Sequence, residues 1–153
     1  MVFSKPYISA EKMAYNILIV DDSPSMRQVI RRTIQISGFN VGHFYEVSNG
    51  KEALDLLGNE WVDVILSDIN MPVMDGITFI KLLQKDIITA NIPVVVITTE
   101  GREACLKQFM DLGVTAYLQK PFRPETIRNK LIQILGNNEK SPDDDQALNG
   151  YEF

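Results

Sequence analysis

The chain has 153 residues, with 45% hydrophobic and 23% charged residues, which favours one soluble globular domain. A formal net charge of −5 argues against direct nucleic-acid binding, which relies on lysine and arginine neutralising phosphates, and the single cysteine, Cys105, excludes an intrachain disulfide. The first residues lack the apolar core of a signal peptide, and no apolar run approaches the roughly 18 residues of a membrane span, so we expect a cytoplasmic protein without membrane insertion.

Short apolar runs alternate along the chain with segments of helical length. The predicted strands are 17–20, 41–47, 62–66, 94–97 and 114–118, of which 41–47 is the weakest. The predicted helices are 24–37, 50–57, 77–85, 102–112 and 124–135. Near-continuous runs of valine and isoleucine are typical of parallel strands buried on both faces. Pro24 suits the first turn of a helix, and Gly113 suits a helix C-terminus.

Five strand–helix pairs in strict alternation predict an α/β fold, a doubly wound five-stranded parallel sheet flanked by helices, of the flavodoxin-like type. We assign this domain to residues 15–136, after a leader at 1–14. Residues 137–153 hold three consecutive aspartates and few apolar residues, so we expect a disordered acidic tail.

Polar residues gather where the predicted strands end. Asp21 and Asp22 follow the first strand, Asp68 the third, Thr98 the fourth and Lys120 the fifth. In a doubly wound sheet these positions meet at one edge, where ligands bind. Three carboxylates in one pocket repel each other, and Mg²⁺, which prefers oxygen ligands, relieves the repulsion. With Lys120 the formal charges cancel, so the sequence predicts a site that accepts a phosphoryl group.

Four motifs at these positions resemble the receiver domain of two-component response regulators. They are ILIVDDS at 17–23, DINMPVMDG at 68–76, VVVITTE at 94–100 and YLQKPF at 117–122. Together they cover nearly the whole predicted domain. With no output domain attached, the chain most resembles the stand-alone, chemotaxis-type members.

The resemblance implies a role for each residue of the pocket. Asp68 is the expected phosphoacceptor. Mg²⁺ is expected to be held by Asp21, Asp22, Asp68 and the backbone carbonyl of Asn70. Lys120 is expected to pair with the phosphoryl group.

The resemblance also implies residues that change conformation on phosphorylation and residues that set the lifetime of the phosphoryl group. Thr98 is the expected switch hydroxyl, and Tyr117 the switch aromatic that turns inward on activation. Asn70 and Glu100 are expected to tune the loss of the phosphoryl group. The peptide bond from Lys120 to Pro121 is expected to be cis.

By resemblance, the donor is a sensor histidine kinase or a histidine phosphotransfer protein, and the chain is a phosphoacceptor rather than an enzyme. Phosphorylation is expected to change the affinity of residues 102–135 for a downstream protein, with the flagellar motor switch as the first expectation. A phosphorelay intermediate or a phosphate sink is the alternative within this class.

Two other classes fit less well. A phosphatase or phosphotransferase of the haloacid dehalogenase type carries an aspartate two residues after its nucleophile, where Ser23 follows Asp21 here. A flavin carrier would need a phosphate-binding loop after the first strand, and the acidic cluster opposes a flavin phosphate.

The chain departs from the receiver pattern in three places. The stretch between Gly38 and Gly50 is longer than usual, so the second strand is expected to be longer, bulged or shifted. Thr99 stands where the family often has a smaller residue, which is expected to slow access to the site. The leader or the tail is expected to shield the output face.

Overall fold

The computed structural model describes residues 14–136, so the predictions for the tail and for all but the last residue of the leader lie outside the described residues. The strands are β1 Tyr15–Val20, β2 Val41–Val47, β3 Val64–Ser67, β4 Val94–Thr98 and β5 Ala116–Gln119. The helices are α1 Pro24–Ser37, α2 Gly50–Leu57, α3 Gly76–Lys85, α4 Glu103–Asp111 and α5 Pro124–Leu135. All strand pairs are parallel, in the order β2-β1-β3-β4-β5, which confirms the predicted fold class.

The sheet separates two apolar cores because successive side chains of each strand point to opposite faces. On one face, Leu18 and Ile65 pack with residues of α2, α3 and α4. On the other face, Ile17 and Val64 pack with residues of α1 and α5. Burial on both faces explains why the strands are continuous apolar runs.

Strand β2 contains a bulge, which is one of the three predicted alternatives of a longer, bulged or shifted strand. Tyr15 pairs with Val41, but Ile17 pairs with Phe44, so two residues of β2 stand opposite the single residue Asn16. One of those two is Gly42, where an added Cβ would lie 2.7 Å from Oδ1 of Asn16. A glycine at this position lets the two strands approach each other at the bulge.

Several element ends differ from the prediction by one or two residues. The third strand starts at Val64 rather than Val62, because Asp63 turns its carboxylate back to accept the backbone N–H of Asn16 at 2.8 Å. Helix α3 starts at Gly76 because Asp75 caps it, accepting the N–H of Thr78 at 2.8 Å. Within residues 14–136, no helix is both long and apolar enough to cross a bilayer.

Candidate functional site

The carboxyl ends of β1 and β3 place Asp21 and Asp68 side by side. The backbone N–H of Asp68 donates to the carbonyl of Val20 at 2.9 Å, and that of Asp21 to the carbonyl of Val47 at 3.1 Å, so both residues extend the strand pairing. Asp22 is exposed at the rim. Each of the three aspartates offers a carboxylate oxygen, and these oxygens all lie within 4.8 Å of one another.

This oxygen set fits a magnesium ion. Octahedral Mg²⁺ holds its ligands at about 2.0–2.1 Å, which separates neighbouring ligand oxygens by roughly 2.9 Å and opposite ones by roughly 4.1 Å. The aspartate oxygens lie within 4.8 Å of one another, so small side-chain movements bring them into that geometry. Among the residues that the structure describes, these three aspartates form the cluster of side chains whose ligand atoms lie close enough together to hold a metal ion.

The least accessible carboxylate of the cluster belongs to Asp21, which is 2% exposed. Burial raises the pKa of Asp21, and the Asp68 and Asp22 charges raise it further, whereas the N–H of Ser23 and the ammonium of Lys120 lower it. The Ser23 N–H donates to Oδ1 of Asp21 at 2.9 Å. The charged form of Asp21 is therefore disfavoured on balance, as expected for a site that stabilises a cation.

Sequence reasoning missed a second contact to Asp21. Nη1 of Arg27, in the first turns of α1, donates to the backbone carbonyl of Asp21 at 2.6 Å, while its Nε donates to Glu46 on β2 at 3.2 Å. Arg27 therefore ties the first aspartate loop to the neighbouring strand. Arg27 comes only six residues after Asp21, so a contact between the two residues was conceivable from the sequence. No sequence pattern, however, determines that the Arg27 side chain points to the Asp21 carbonyl.

Lys120 reaches the cluster from the end of β5. Its Nζ lies 4.0 Å from Oδ2 of Asp21, and its peptide bond to Pro121 is cis, as expected. The backbone N–H of Lys120 donates to the carbonyl of Thr98 at 2.7 Å, which joins the ends of β4 and β5. The Thr98 hydroxyl accepts the backbone N–H of Glu100 at 3.0 Å, so it lies at the same edge without a described contact to the carboxylates.

The loop from β3 to α3 holds Asp68 in place. Oδ1 of Asp68 accepts the backbone N–H of Ile69 at 2.7 Å. The loop packs so closely that a Cβ at Gly76 would lie 2.8 Å from the carbonyl oxygen of Asp68. Val73 has φ of 69° within a γ-turn, a strained conformation for a β-branched residue, and Asn70 is exposed beside it.

Glu100 has a partner that the sequence analysis did not identify. Its Oε2 accepts Nε of Arg102 at 2.8 Å and the backbone N–H of Arg102 at 2.7 Å, and its Oε1 accepts Nη2 at 2.9 Å. The guanidinium hydrogen bonds lower the pKa of Glu100 to about 2. Arg102 thus holds both carboxylate oxygens of Glu100.

Tyr117 lies on β5, away from the aspartates. It is half-buried and packs against the core on the α2, α3 and α4 side of the sheet. It also lines an open cleft of about 560 Å³ with Met110 of α4 and Lys130 of α5. The predicted switch aromatic therefore borders the surface formed by α4, β5 and α5.

The fold and this pocket define a receiver domain. The family model for the response regulator receiver domain matches residues 17–132, and the chain belongs to that family, which confirms the resemblance drawn from the four motifs. Chemotaxis protein CheY1 of Helicobacter pylori is 36% identical over 124 residues, covering 80% of this chain and 98% of its own. A CheY homolog of Campylobacter jejuni is 37% identical over 123 residues, covering 78% and 92%. The solved structure of CheY4 of Vibrio cholerae matches with a TM-score of 0.71 and 35% identity, covering 80% of this chain and 100% of that one.

Proposed function

We propose that the chain acts as a response regulator that accepts a phosphoryl group on Asp68. The observation that carries this proposal is the meeting of Asp21, Asp22 and Asp68 within 4.8 Å, with Lys120 at 4.0 Å from Asp21. Three clustered carboxylates repel one another, so the cluster destabilises the fold unless positive charge offsets it. Phosphoryl transfer uses such a cluster, since it depends on positioned charge.

Each chain residue then has a definite task. Oδ1 of Asp68 is held by the Ile69 N–H, so we assign Oδ2 as the attacking atom. A bond forms from Oδ2 to phosphorus, the phosphorus–nitrogen bond of a phosphohistidine breaks, and its electron pair returns to the donor imidazole. Lys120 stabilises the negative charge that develops on the transferred oxygens. Asp21, Asp22, Asp68 and the backbone carbonyl of Asn70 would hold Mg²⁺, which would supply positive charge for the same oxygens.

Phosphorylation acts on the rest of the fold through Thr98 and Lys120. The group brings about −1.5 to −2 charges and strong acceptor oxygens. The Thr98 hydroxyl, which accepts the backbone N–H of Glu100, moves so that its own O–H can donate to these oxygens. Thr98 ends the strand next to Tyr117, so its movement changes the packing of Tyr117 and the affinity of surface 102–135 for a partner. A full switch needs about 5.5 kcal/mol of differential stabilisation, part of which charge-assisted hydrogen bonds supply.

A groove beside the pocket suits the phosphoryl donor. It is largely apolar and is lined by Met26, Val29 and Thr33 of α1 and by Thr99, Lys120, Pro121 and Phe122. Val29 is 53% exposed there. A histidine that reaches Asp68 must come from a protein that covers the rim of the pocket, and an amphipathic helix fits such a groove. Thr99 also lines this groove, and its side chain narrows the path of a phosphoryl donor to Asp68.

The test is labelling with two donors. With Mg²⁺, a small acyl phosphate should label the wild type once, and Asp68→Asn should abolish the label. Asp55→Asn is a matched control, because Asp55 is exposed on α2 and pairs only with Lys51 among the described ion pairs. Val29→Asp should label normally from the acyl phosphate but more slowly from a phosphohistidine protein. Full labelling of Asp68→Asn would refute the assignment of the phosphoacceptor.

The pathway is a separate part of the proposal. The relatives reported above are chemotaxis proteins, so we infer output to the flagellar motor switch. The measurement is capture of partners by the protein locked with beryllofluoride. Recovery of a flagellar switch protein supports chemotaxis, whereas recovery of only a histidine phosphotransfer protein indicates a relay intermediate or a phosphate sink.

A further inference from the structure

A second concave surface lies at the other end of the sheet, where the strands begin. This basal groove has a volume of about 430 Å³ and runs between the end of α2, segment 60–63 and segment 86–93. Its apolar walls are Leu57, Trp61, Val62, Ile87, Ile88 and Pro93. Ile87 is 87% exposed and Ile88 is 43% exposed. Adjacent exposed isoleucines that border an apolar groove mark an interaction surface.

The leader joins the fold beside this groove. Asn16 donates its backbone N–H to Asp63 at 2.8 Å and its side-chain N–H to the carbonyl of Trp61 at 2.9 Å. The next residue, Ile17, pairs with Val64. The start of β1 is therefore about one strand spacing, roughly 4.8 Å, from the wall of the groove. Thirteen residues precede Ala14, and fully extended they reach about 45 Å, which is ample.

The leader also matches the groove chemically. Its apolar residues are Met1, Val2, Phe3, Tyr7, Ile8, Ala10 and Met13. Its side chains carry two positive charges, Lys5 and Lys12, against one negative charge. Among the described residues that line the groove, Glu60 and Asp63 are acidic and none is lysine or arginine.

We propose that leader residues 2–8 dock in the basal groove of the same chain. The apolar side chains cover Ile87 and Ile88, and Lys5 faces the acidic rim. The short tether raises the effective concentration of the leader, so a groove of modest affinity is filled. The phosphorylation pocket lies at the opposite edge of the sheet, which leaves it open to its donor.

Amide hydrogen exchange on the full chain tests the docking. The N–H groups of Phe3, Tyr7 and Ile8 should exchange about tenfold more slowly than in a free peptide of residues 1–13. Ile87→Lys should remove this protection, because it repels Lys5 and takes away an apolar wall. The matched control is Ile36→Lys on α1, where Ile36 is 69% exposed, and it should leave the protection unchanged.

Trp61 provides an independent reading, because it is the only tryptophan of the chain and lines the groove. Phe3→Ser should increase the quenching of its fluorescence by acrylamide. Leader amides that exchange at the peptide rate in the wild type, or protection that survives Ile87→Lys, would overturn the proposal. So would protection that grows with protein concentration alongside a sedimenting dimer, which would show a second copy in the groove.

Discussion

Replacing Asp21 by asparagine should stabilise the metal-free protein. Asparagine has nearly the same shape and keeps an acceptor for the Ser23 N–H, so the change removes the negative charge and replaces the other carboxylate oxygen by an NH2 group. The pKa of Asp21 is raised in the folded state, so the native protein binds more protons there than the unfolded chain. Stability therefore falls as pH rises through the window above the ordinary value of 3.8, and the penalty is complete above the raised pKa, including at neutral pH.

The magnitude follows from the distances. At an effective dielectric constant of about 20, carboxylate oxygens within 4.8 Å of each other repel by at least about 3.5 kcal/mol, and the Lys120 ammonium at 4.0 Å attracts Asp21 by about 4 kcal/mol. Asp21 lies near two other carboxylates and one ammonium, so the repulsion exceeds the attraction. Burial of Asp21 disfavours its charge further. Solvent screens the exposed Asp22, so we expect Asp21→Asn to raise the free energy of unfolding by about 1–3 kcal/mol.

The assay is urea unfolding followed by Trp61 fluorescence, in EDTA and in Mg²⁺. In EDTA the midpoint of Asp21→Asn should exceed that of the wild type. Mg²⁺ at ten times its Kd should add about 1.4 kcal/mol to the wild type and much less to the variant, which lacks a ligand. Lys120→Met should be less stable than the wild type, because it leaves Asp21 buried among negative charges. A lower midpoint for Asp21→Asn in EDTA, or equal stabilisation of both proteins by Mg²⁺, would refute this reasoning.

Two further predictions concern the loops that border the pocket. Arg102→Ala should raise the pKa of Glu100 from about 2 towards its ordinary 4.5, measured by NMR titration of the carboxyl carbon; an unchanged pKa would show that the pair does not form in solution. The ion-pair contribution of Glu100 to stability should be present above the ordinary pKa and lost as pH falls through about 2. Val73→Asn should raise the free energy of unfolding by about 1 kcal/mol, because asparagine tolerates positive φ and Val73 is 77% exposed; urea unfolding that shows a loss would contradict the strain.

The sequence was sufficient to predict the features that depend on the order and direction of the strands. Parallel strands end at one edge, so the residues after each apolar run could be brought together without coordinates. This reasoning placed Asp21, Asp68 and Lys120 correctly at one end of the sheet, although their chemical roles remain predictions. It also anticipated an irregular second strand from the extra length before Gly50.

What the sequence did not reveal depends on side-chain direction. Arg27 binds the carbonyl of Asp21, and Arg102 binds Glu100, through rotamers that no residue pattern specifies. The bulge opposite Asn16 could be expected but not located, because a one-residue insertion has several acceptable positions. Such contacts adjust a site whose location the strand order has already determined.

The ion pair between Glu100 and Arg102 shows how one such side-chain contact bears on the predicted lifetime of the phosphoryl group. The family resemblance gives Glu100 a part in the loss of the phosphoryl group, but a carboxylate with both oxygens hydrogen-bonded to a guanidinium is held away from other tasks. Arg102 is exposed, and solvent screens an exposed ion pair so that it contributes little to stability, so the pair opens readily. Glu100 is therefore restrained rather than fixed, and Arg102 sets the fraction of time for which the carboxylate is free of the guanidinium. If Glu100 has the predicted part in the loss of the phosphoryl group, two chains with the same residues at 70 and 100 can differ in phosphoryl lifetime through residue 102.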